Sequence, residues 1–214
     1  MSGHFLPRAA AAALALALAG CAPAAIVGLG VGAGVAQERS TRDQMTDFEI
    51  GLSIQNALAS ESGALFQAVD LEVVEGRVLL AGAVPRPEDR IRAVEIAWAT
   101  PSVVEVINEL EVAGSGGISG YANDAWISTQ VRSRLLGTPG VNPLNFNVDT
   151  VNGVVHLLGL ARSQQELQRA ARAAAAVPGA RQVVSHVLLI DDPRRKAPAA
   201  RPSGATPPAP ASAG

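Results

Sequence analysis

The sequence lacks most of the features that would identify an enzyme or a nucleic-acid-binding protein. Its 214 residues include a single cysteine, Cys21, so no disulfide forms within the chain. The 17 basic and 19 acidic side chains nearly balance, which argues against a general nucleic-acid binder. There is no phosphate-binding loop, no nucleophile elbow and no paired metal-ligand motif. The composition therefore favours a binding or structural protein over an enzyme.

Long apolar runs are also missing, apart from one short run near the start. Residues 9–19 follow Arg8 and are long enough for a signal peptide but too short to span a bilayer. The run ends in Leu18-Ala19-Gly20-Cys21, which resembles a bacterial lipobox. We therefore expect residues 1–20 to be a lipoprotein signal peptide and Cys21 to be acylated. The alternative is a plain secretory signal followed by a chance cysteine.

Acylation at Cys21 would fix the location of the mature chain. Several acyl chains hold a protein on a membrane almost irreversibly, whereas a single chain does so only marginally. The residue after the cysteine is Ala22, which resembles the cargo of the outer membrane in Gram-negative bacteria. The predicted location is thus the periplasmic face of the outer membrane.

Two further segments lack a folding pattern. Residues 26–34 loosely fit a dinucleotide-binding fingerprint, but no strand precedes them and no βαβ unit surrounds them. Residues 21–44 are instead interpreted as a flexible leash, with an end-to-end distance of about 25 Å. The tail, residues 192–214, is rich in proline and alanine and is predicted to be disordered.

Between these segments, the chain repeats itself with an offset of 77 residues. Glu75-Gly76 aligns with Asn152-Gly153, and Gly82 aligns with Gly159, without a gap. The repeat predicts one small domain built twice. The predicted bounds are 45–113 for domain 1, 114–120 for a Gly/Ser hinge, and 121–191 for domain 2.

Both copies predict the same order of elements. Thr46 and Glu49 have the spacing of a capping box that opens the first helix of domain 1, and Asn123 takes the cap position in domain 2. A buried helical stripe follows in each copy, namely Ile50, Ile54 and Leu58, then Ile127, Val131 and Leu135. Asn152-Gly153 is a strong hairpin signal because both residues tolerate a positive φ.

An alanine-rich helix and a last strand complete each copy. The helices are predicted over 88–100 and 165–177, with a cap at Ser163, and an alternating strand follows each of them. The fold class is therefore α+β, with two domains of order α-β-β-α-β. Each would be a small three-stranded mixed sheet covered by two helices.

The copies differ in charge and in one helix face. Residues 40–113 hold five arginines and thirteen acids, a net charge of −8, whereas residues 120–192 hold six arginines and five acids, a net of +1. At 100° per residue, Trp126 lies about 140° from the centre of the buried stripe and so faces outward. Domain 1 has Glu49 at this position. An exposed indole suits the boundary of a lipid bilayer.

The same helix of domain 2 also carries two arginines that its counterpart in domain 1 lacks. Arg132 and Arg134 take the positions that Gln55 and Ala57 hold in domain 1. A guanidinium group suits lipid phosphate, and each arginine near an anionic surface contributes about 1 kcal/mol.

The element order, the glycine after the second strand and the run 123–136 resemble the BON domain family, and in particular its two-domain outer-membrane lipoproteins. That resemblance implies a protein without enzymatic activity or cofactor that supports outer-membrane integrity near division sites. It implies binding to anionic phospholipid, such as phosphatidylglycerol or cardiolipin, through the first helix of the second domain. The lipid-binding residues expected on this helix are Trp126, Thr129, Gln130, Arg132, Ser133, Arg134 and Leu136.

Alternatives remain open for the function. Trp126 could pack on the Tyr121 segment or on the other domain, which would leave the arginines as a solvated face. The acidic domain 1 could then dock on an envelope assembly protein and make the chain a structural adaptor. A tether to peptidoglycan is a third alternative.

Titratable residues elsewhere suggest no other site. Glu88, Asp89 and Glu95 are interpreted as a solvated helix face and not as an acid/base pair, because no pocket pattern accompanies them. His156 and His186 stand alone in their strands, so no metal site is predicted.

Overall fold

The computed structural model describes residues 38–113 and 121–195. The predicted signal peptide, Cys21, most of the leash, the hinge 114–120 and the tail beyond residue 195 lie outside these described residues. Every described residue belongs to one compact unit, Val35–Gly214. Among the helices described, none is both long and apolar enough to cross a membrane.

The first helix begins earlier than the sequence predicts. Helix α1 spans Thr41–Glu61, and its capping box is formed by Ser40 and Asp43. The side chains of these two residues satisfy backbone N–H groups that the first turn leaves without partners. The predicted cap, Thr46, lies inside the helix and its hydroxyl donates to the Arg42 carbonyl at 3.1 Å. The cap prediction was therefore wrong, and residues 41–44 of the predicted leash are helical.

Domain 1 has one element more than predicted. A short helix, α2 (Gly63–Ala68), separates α1 from the sheet. Strands β1 (Val69–Val74) and β2 (Arg77–Val84) are antiparallel, and β3 (Glu105–Val112) lies parallel to β2. Helix α3 (Pro87–Ala99) connects β2 to β3.

Domain 2 repeats this topology. Helix α4 (Tyr121–Leu136) precedes the antiparallel strands β4 (Phe146–Val151) and β5 (Val154–Ala161), and helix α5 (Gln164–Ala175) leads to β6 (Gln182–Leu189), which is parallel to β5. The predicted α+β fold with a three-stranded mixed sheet is confirmed in both copies. Asn123, predicted as the cap of α4, lies within its first turn.

An aspartate in the first helix holds the hairpin of each domain. Glu75 and Gly76 have φ values of 53° and 72°, as the predicted turn requires. Their backbone N–H groups donate to the carboxylate of Asp47, both at 2.9 Å. Asp124 does the same for Asn152 and Gly153, at 2.8 and 2.9 Å. These buried carboxylates fix the helix to the sheet.

Each domain has a separate hydrophobic core, and each core contains the predicted stripe of its first helix. Ile54 and Leu58 are fully buried in domain 1, as are Val131 and Leu135 in domain 2. The alanine-rich helices pack on the same side of the sheets through Ala93, Ala97, Ala170 and Ala174. The helices therefore cover one face of each sheet and leave the other face uncovered.

The uncovered faces of the two sheets pack against each other. Their apolar contact consists of Val74, Leu79, Ile107, Leu158, Leu160 and Leu188. Strand β2 of domain 1 contacts β4 of domain 2. In the reciprocal contact, β5, the counterpart of β2, contacts β1, the counterpart of β4. This reciprocal pattern is that of an approximate two-fold axis between the domains. The two domains thus share a third core, which is described below as the interdomain interface.

Both ends of the described chain bind the domain at the opposite end of the sequence. The Glu38 N–H donates to the side-chain carbonyl of Asn145 in domain 2 at 3.0 Å. Residues Pro193–Arg195 form a 3₁₀ turn, and the Arg195 guanidinium pairs with Glu75 of domain 1 at 2.5 Å. Residues 192–195, the described part of the predicted tail, are therefore ordered.

Candidate functional site

The outer face of α4 carries the residues that the sequence predicts to bind lipid. All seven are exposed, including Trp126 at 47% and Leu136 at 74% of their full accessibility. Ile127, Val131 and Leu135 hold the opposite face of the helix in the core. The spacing places Thr129 and Ser133 between the tryptophan and the leucine on one strip of the helix. The helix therefore presents a strip with an apolar residue at each end and hydroxyls between.

Arginines flank this strip, and each is oriented by a backbone carbonyl. Arg132 donates to the Val148 carbonyl, and Arg134 donates to the Ala176 carbonyl. A guanidinium has five N–H donors, so one such bond positions the group and leaves others for a phosphate. Both side chains remain exposed. This geometry sets the two charges on either side of the strip.

Helix α1 of domain 1 presents a different surface at the equivalent positions. The counterpart of Trp126 is Glu49, which is also exposed. On either side of Glu49 in the sequence, Met45, Phe48 and Leu52 lie on one face of α1 and are 63%, 67% and 47% exposed. This apolar stripe was not predicted from the sequence, because the predicted helix began at Thr46 and excluded Met45. The spacing of three and four residues was a sufficient signal for it.

The acidic residues of α3 do not form an acid/base pair. Asp89 pairs with Arg86 at 2.7 Å, and Glu95 pairs with Arg92 at 3.2 Å. The hydrogen bond from Arg86 lowers the pKa of Asp89 below its ordinary value. These ion pairs lie on the solvent-facing side of the helix, where such pairs contribute little to stability.

The two histidines do not stand alone, contrary to the prediction from sequence. The rings of His156 on β5 and His186 on β6 are stacked, with centroids 6.2 Å apart and planes 6° apart. Glu109 on β3 of domain 1 reaches the same point across the interdomain interface. Sequence spacing could not reveal this cluster, because its members come from three strands and two domains. The three residues are called the interface cluster below.

A group of carboxylates lies at another part of the interdomain interface. Glu72 accepts a hydrogen bond from the Asn147 side chain at 2.7 Å. Asp149, the counterpart of Glu72, has one buried oxygen with no hydrogen-bond partner among the described residues. Burial, together with the negative charge of Asp70, raises the pKa of Asp149 to about 7. Burial also raises the pKa values of Asp70 and Glu72.

These features define a class of protein: two α+β domains in tandem, joined through their sheets, with an exposed tryptophan on the outer face of the first helix of domain 2. The model of the BON domain matches residues 46–114 and 123–190. The chain therefore belongs to the BON domain family.

Curated relatives place the chain within that family. It is 31% identical over 154 residues to the outer membrane lipoprotein DolP of Haemophilus influenzae, covering 72% of this chain and 79% of that protein. It is 29% identical over 141 residues to the osmotically inducible protein Y of Escherichia coli, covering 65% of this chain and 70% of that one. An uncharacterised protein of Anaplasma centrale is 38% identical over 126 residues, covering 58% and 83%.

Proposed function

We propose that this protein is a lipid-anchored protein of the bacterial envelope that binds anionic phospholipid through the outer face of α4. The observation that carries the proposal is the difference between α4 and α1. Domain 2 has an exposed tryptophan and two exposed arginines where domain 1 has Glu49, Gln55 and Ala57. The fold does not require the domain 2 residues, because domain 1 folds without them.

The magnitudes favour a role in positioning over attachment. Each arginine near an anionic surface contributes about 1 kcal/mol, and a partly inserted tryptophan contributes about 1–3 kcal/mol more. That total is weak for binding from free solution. An acyl anchor at Cys21, about twenty residues before the start of α1, would hold the domains at an effective concentration near the millimolar range. A weak contact then determines where and in which orientation the anchored protein stays.

The similarity to an outer membrane lipoprotein supports the anchor and its location. The proposed anchor is Cys21, and the proposed location is the periplasmic face of the outer membrane. There the protein would support membrane integrity by binding lipid. This role is non-enzymatic and requires no cofactor.

Vesicle flotation tests the lipid contact. Residues 35–214, which contain every described contact and lack the anchor, are mixed with vesicles of phosphatidylglycerol or cardiolipin, and with neutral phosphatidylcholine. We expect flotation with the anionic vesicles alone and its loss in Trp126→Glu, which copies Glu49. The matched control is Ile91→Glu, which adds the same charge at another exposed apolar residue, on α3. Equal flotation of both variants would contradict the proposal.

A second function, docking on an envelope assembly protein, is favoured by one observation in domain 1. The exposed stripe of Met45, Phe48 and Leu52 lies in a domain with a net charge of −8, which an anionic membrane repels. A photo-crosslinking residue placed at position 48 in cells would then yield a protein adduct. The same residue at position 126 would yield lipid adducts. A protein adduct at 126 alone would reverse this assignment.

A further inference from the structure

The interface cluster has the composition and the compactness of a metal site. Each of Glu109, His156 and His186 offers one ligand atom, and these atoms all lie within 4.8 Å of one another. His156 is 4% exposed, whereas the side chains of His186 and Glu109 are 18% and 32% exposed. The cluster is therefore buried on the β5 side and accessible from the other side.

Two histidine nitrogens in this cluster have no hydrogen-bond partner among the described residues. The Nδ1 atom of His156 is buried and has none among the described residues. The Nε2 atom of His186 is 3.0 Å from a Glu109 oxygen, but the two are not aligned as a hydrogen bond. A buried polar atom without a partner is unfavourable, and a metal ion would supply the missing contact for His156.

The ligand types favour zinc. Two imidazole nitrogens and one carboxylate oxygen form a ligand set that Zn²⁺ uses, with a fourth position open to water. Mg²⁺ and Ca²⁺ prefer sites built from oxygen alone. Ligand atoms in a tetrahedral zinc site are about 3.3 Å apart, so the most distant pair of ligand atoms would need to close in by at most roughly 1.5 Å.

The repeat indicates that the cluster is an addition to the fold. His186 is the counterpart of Glu109, so these two equivalent residues meet near the two-fold axis. His156 is the counterpart of Leu79, which packs in the interdomain interface without difficulty. A leucine at position 156 would satisfy the same packing. Histidine at this position is therefore explained by binding better than by packing.

We propose that Glu109, His156 and His186 bind one Zn²⁺ ion, which clamps the two domains together. The carboxylate comes from domain 1 and both imidazoles come from domain 2, so the bound ion links β3 to β5 and β6. Zinc would thereby stabilise the interdomain interface, independently of lipid binding at α4.

Calorimetry and thermal unfolding of the full chain in detergent, stripped of metal with EDTA, test this site. We expect one Zn²⁺ per chain and a rise in Tm of roughly 5–10 °C when zinc is about 100-fold above Kd. Mg²⁺ should leave Tm unchanged. Cys21→Ser should keep the response, which excludes binding by the thiol. Absence of zinc binding would overturn the proposal.

Two variants separate loss of the site from loss of the fold. His156→Leu copies domain 1 and should unfold at or above the wild-type Tm without zinc, yet lose the zinc response. Glu109→Gln keeps the shape of its side chain and should lose it as well, whereas Glu88→Gln on the surface of α3 should not. A full zinc response in both cluster variants would also refute the site.

Hydrogen exchange tests the clamp itself. Zinc held by all three residues should slow exchange in β3 together with β5 and β6. Protection confined to β5 and β6 would mean that the ion is bound by the histidines alone, which would overturn the link between the domains.

Discussion

The two domains share a fold but differ on the surfaces that the fold leaves free. Core positions keep their chemistry, as Ile54 and Leu58 correspond to Val131 and Leu135. Outside the cores, Glu49 corresponds to Trp126, and Leu79 corresponds to His156. Packing limits what a core position accepts, whereas exposed positions tolerate exchange. The positions that differ in chemistry are therefore the ones from which function is best inferred.

The largest expected effect is on the pH dependence of stability, because two equivalent carboxylates have different neighbours across the interdomain interface. Glu72 of domain 1 accepts a hydrogen bond from Asn147 of domain 2. In the reciprocal arrangement, Asp149 takes the place of Glu72 and Asp70 takes the place of Asn147. Asp149 therefore faces a carboxylate instead of a donor. A raised pKa means that the folded state holds the proton more tightly. The stability contributed by this proton is full at low pH and is lost as the pH rises from near 3.8 toward about 7.

Asp149→Asn should remove this loss, because it leaves no charge to bury. Relative to wild type, we expect the variant to gain on the order of 2–4 kcal/mol of unfolding free energy between pH 4 and pH 8. Urea unfolding across that range measures the gain. Asp70→Asn, which copies Asn147, should reproduce part of this gain in unfolding free energy, because it supplies a hydrogen-bond donor to Asp149 and removes a neighbouring charge. A constant difference from wild type at all pH values would contradict this explanation.

A smaller effect should distinguish the two hairpin aspartates. Asp124→Ala leaves the amides of Asn152 and Gly153 without their acceptor, at a cost of about 1–3 kcal/mol. Asp47→Ala should cost at least as much, because Asp47 also accepts from Arg39 at 3.2 Å. Denaturant unfolding measures both. A loss of stability in only one of the two variants would show that the contact between the aspartate and the hairpin is not equivalent in the two domains.

The smallest expected effect concerns one arginine. Arg134→Ala copies Ala57 of domain 1 and should weaken binding to anionic vesicles about fivefold, which corresponds to about 1 kcal/mol. Titrated flotation measures the change. Arg90→Ala, at an exposed arginine of α3, is the matched control and should bind like wild type. An equal loss in both variants would mean that overall charge, and not the α4 face, sets the affinity.

The sequence predicted the fold of each domain well, but not the packing of the two domains against each other. The repeat, the hairpin turns and the buried stripes follow from local rules, so the order of elements was confirmed. The start of α1 was missed because Thr46 and Glu49 have the spacing of a capping box, whereas Ser40 and Asp43 form the actual one. The docking of two sheets and the resulting histidine cluster depend on contacts between distant segments, which periodicity does not report.

One signal of the interdomain interface was nevertheless present in the sequence. Strand β5 is apolar on both faces: Leu157 lies in the domain core, and Leu158 and Leu160 lie in the interface. A strand buried on both faces reads as a continuous apolar run. This run predicts a cover for the second face of the sheet. It does not identify domain 1 as that cover.

The approximate two-fold axis between the sheets has a consequence for the residues that lie on it. Reciprocal contacts are those that a homodimer makes, in which a residue on the axis meets its own copy. Two copies on separate chains must carry the same residue there. Because this chain carries both copies, the axis position holds Glu109 on one side and His186 on the other. Two copies in one chain thus allow an unlike pair that a dimer of identical chains cannot encode.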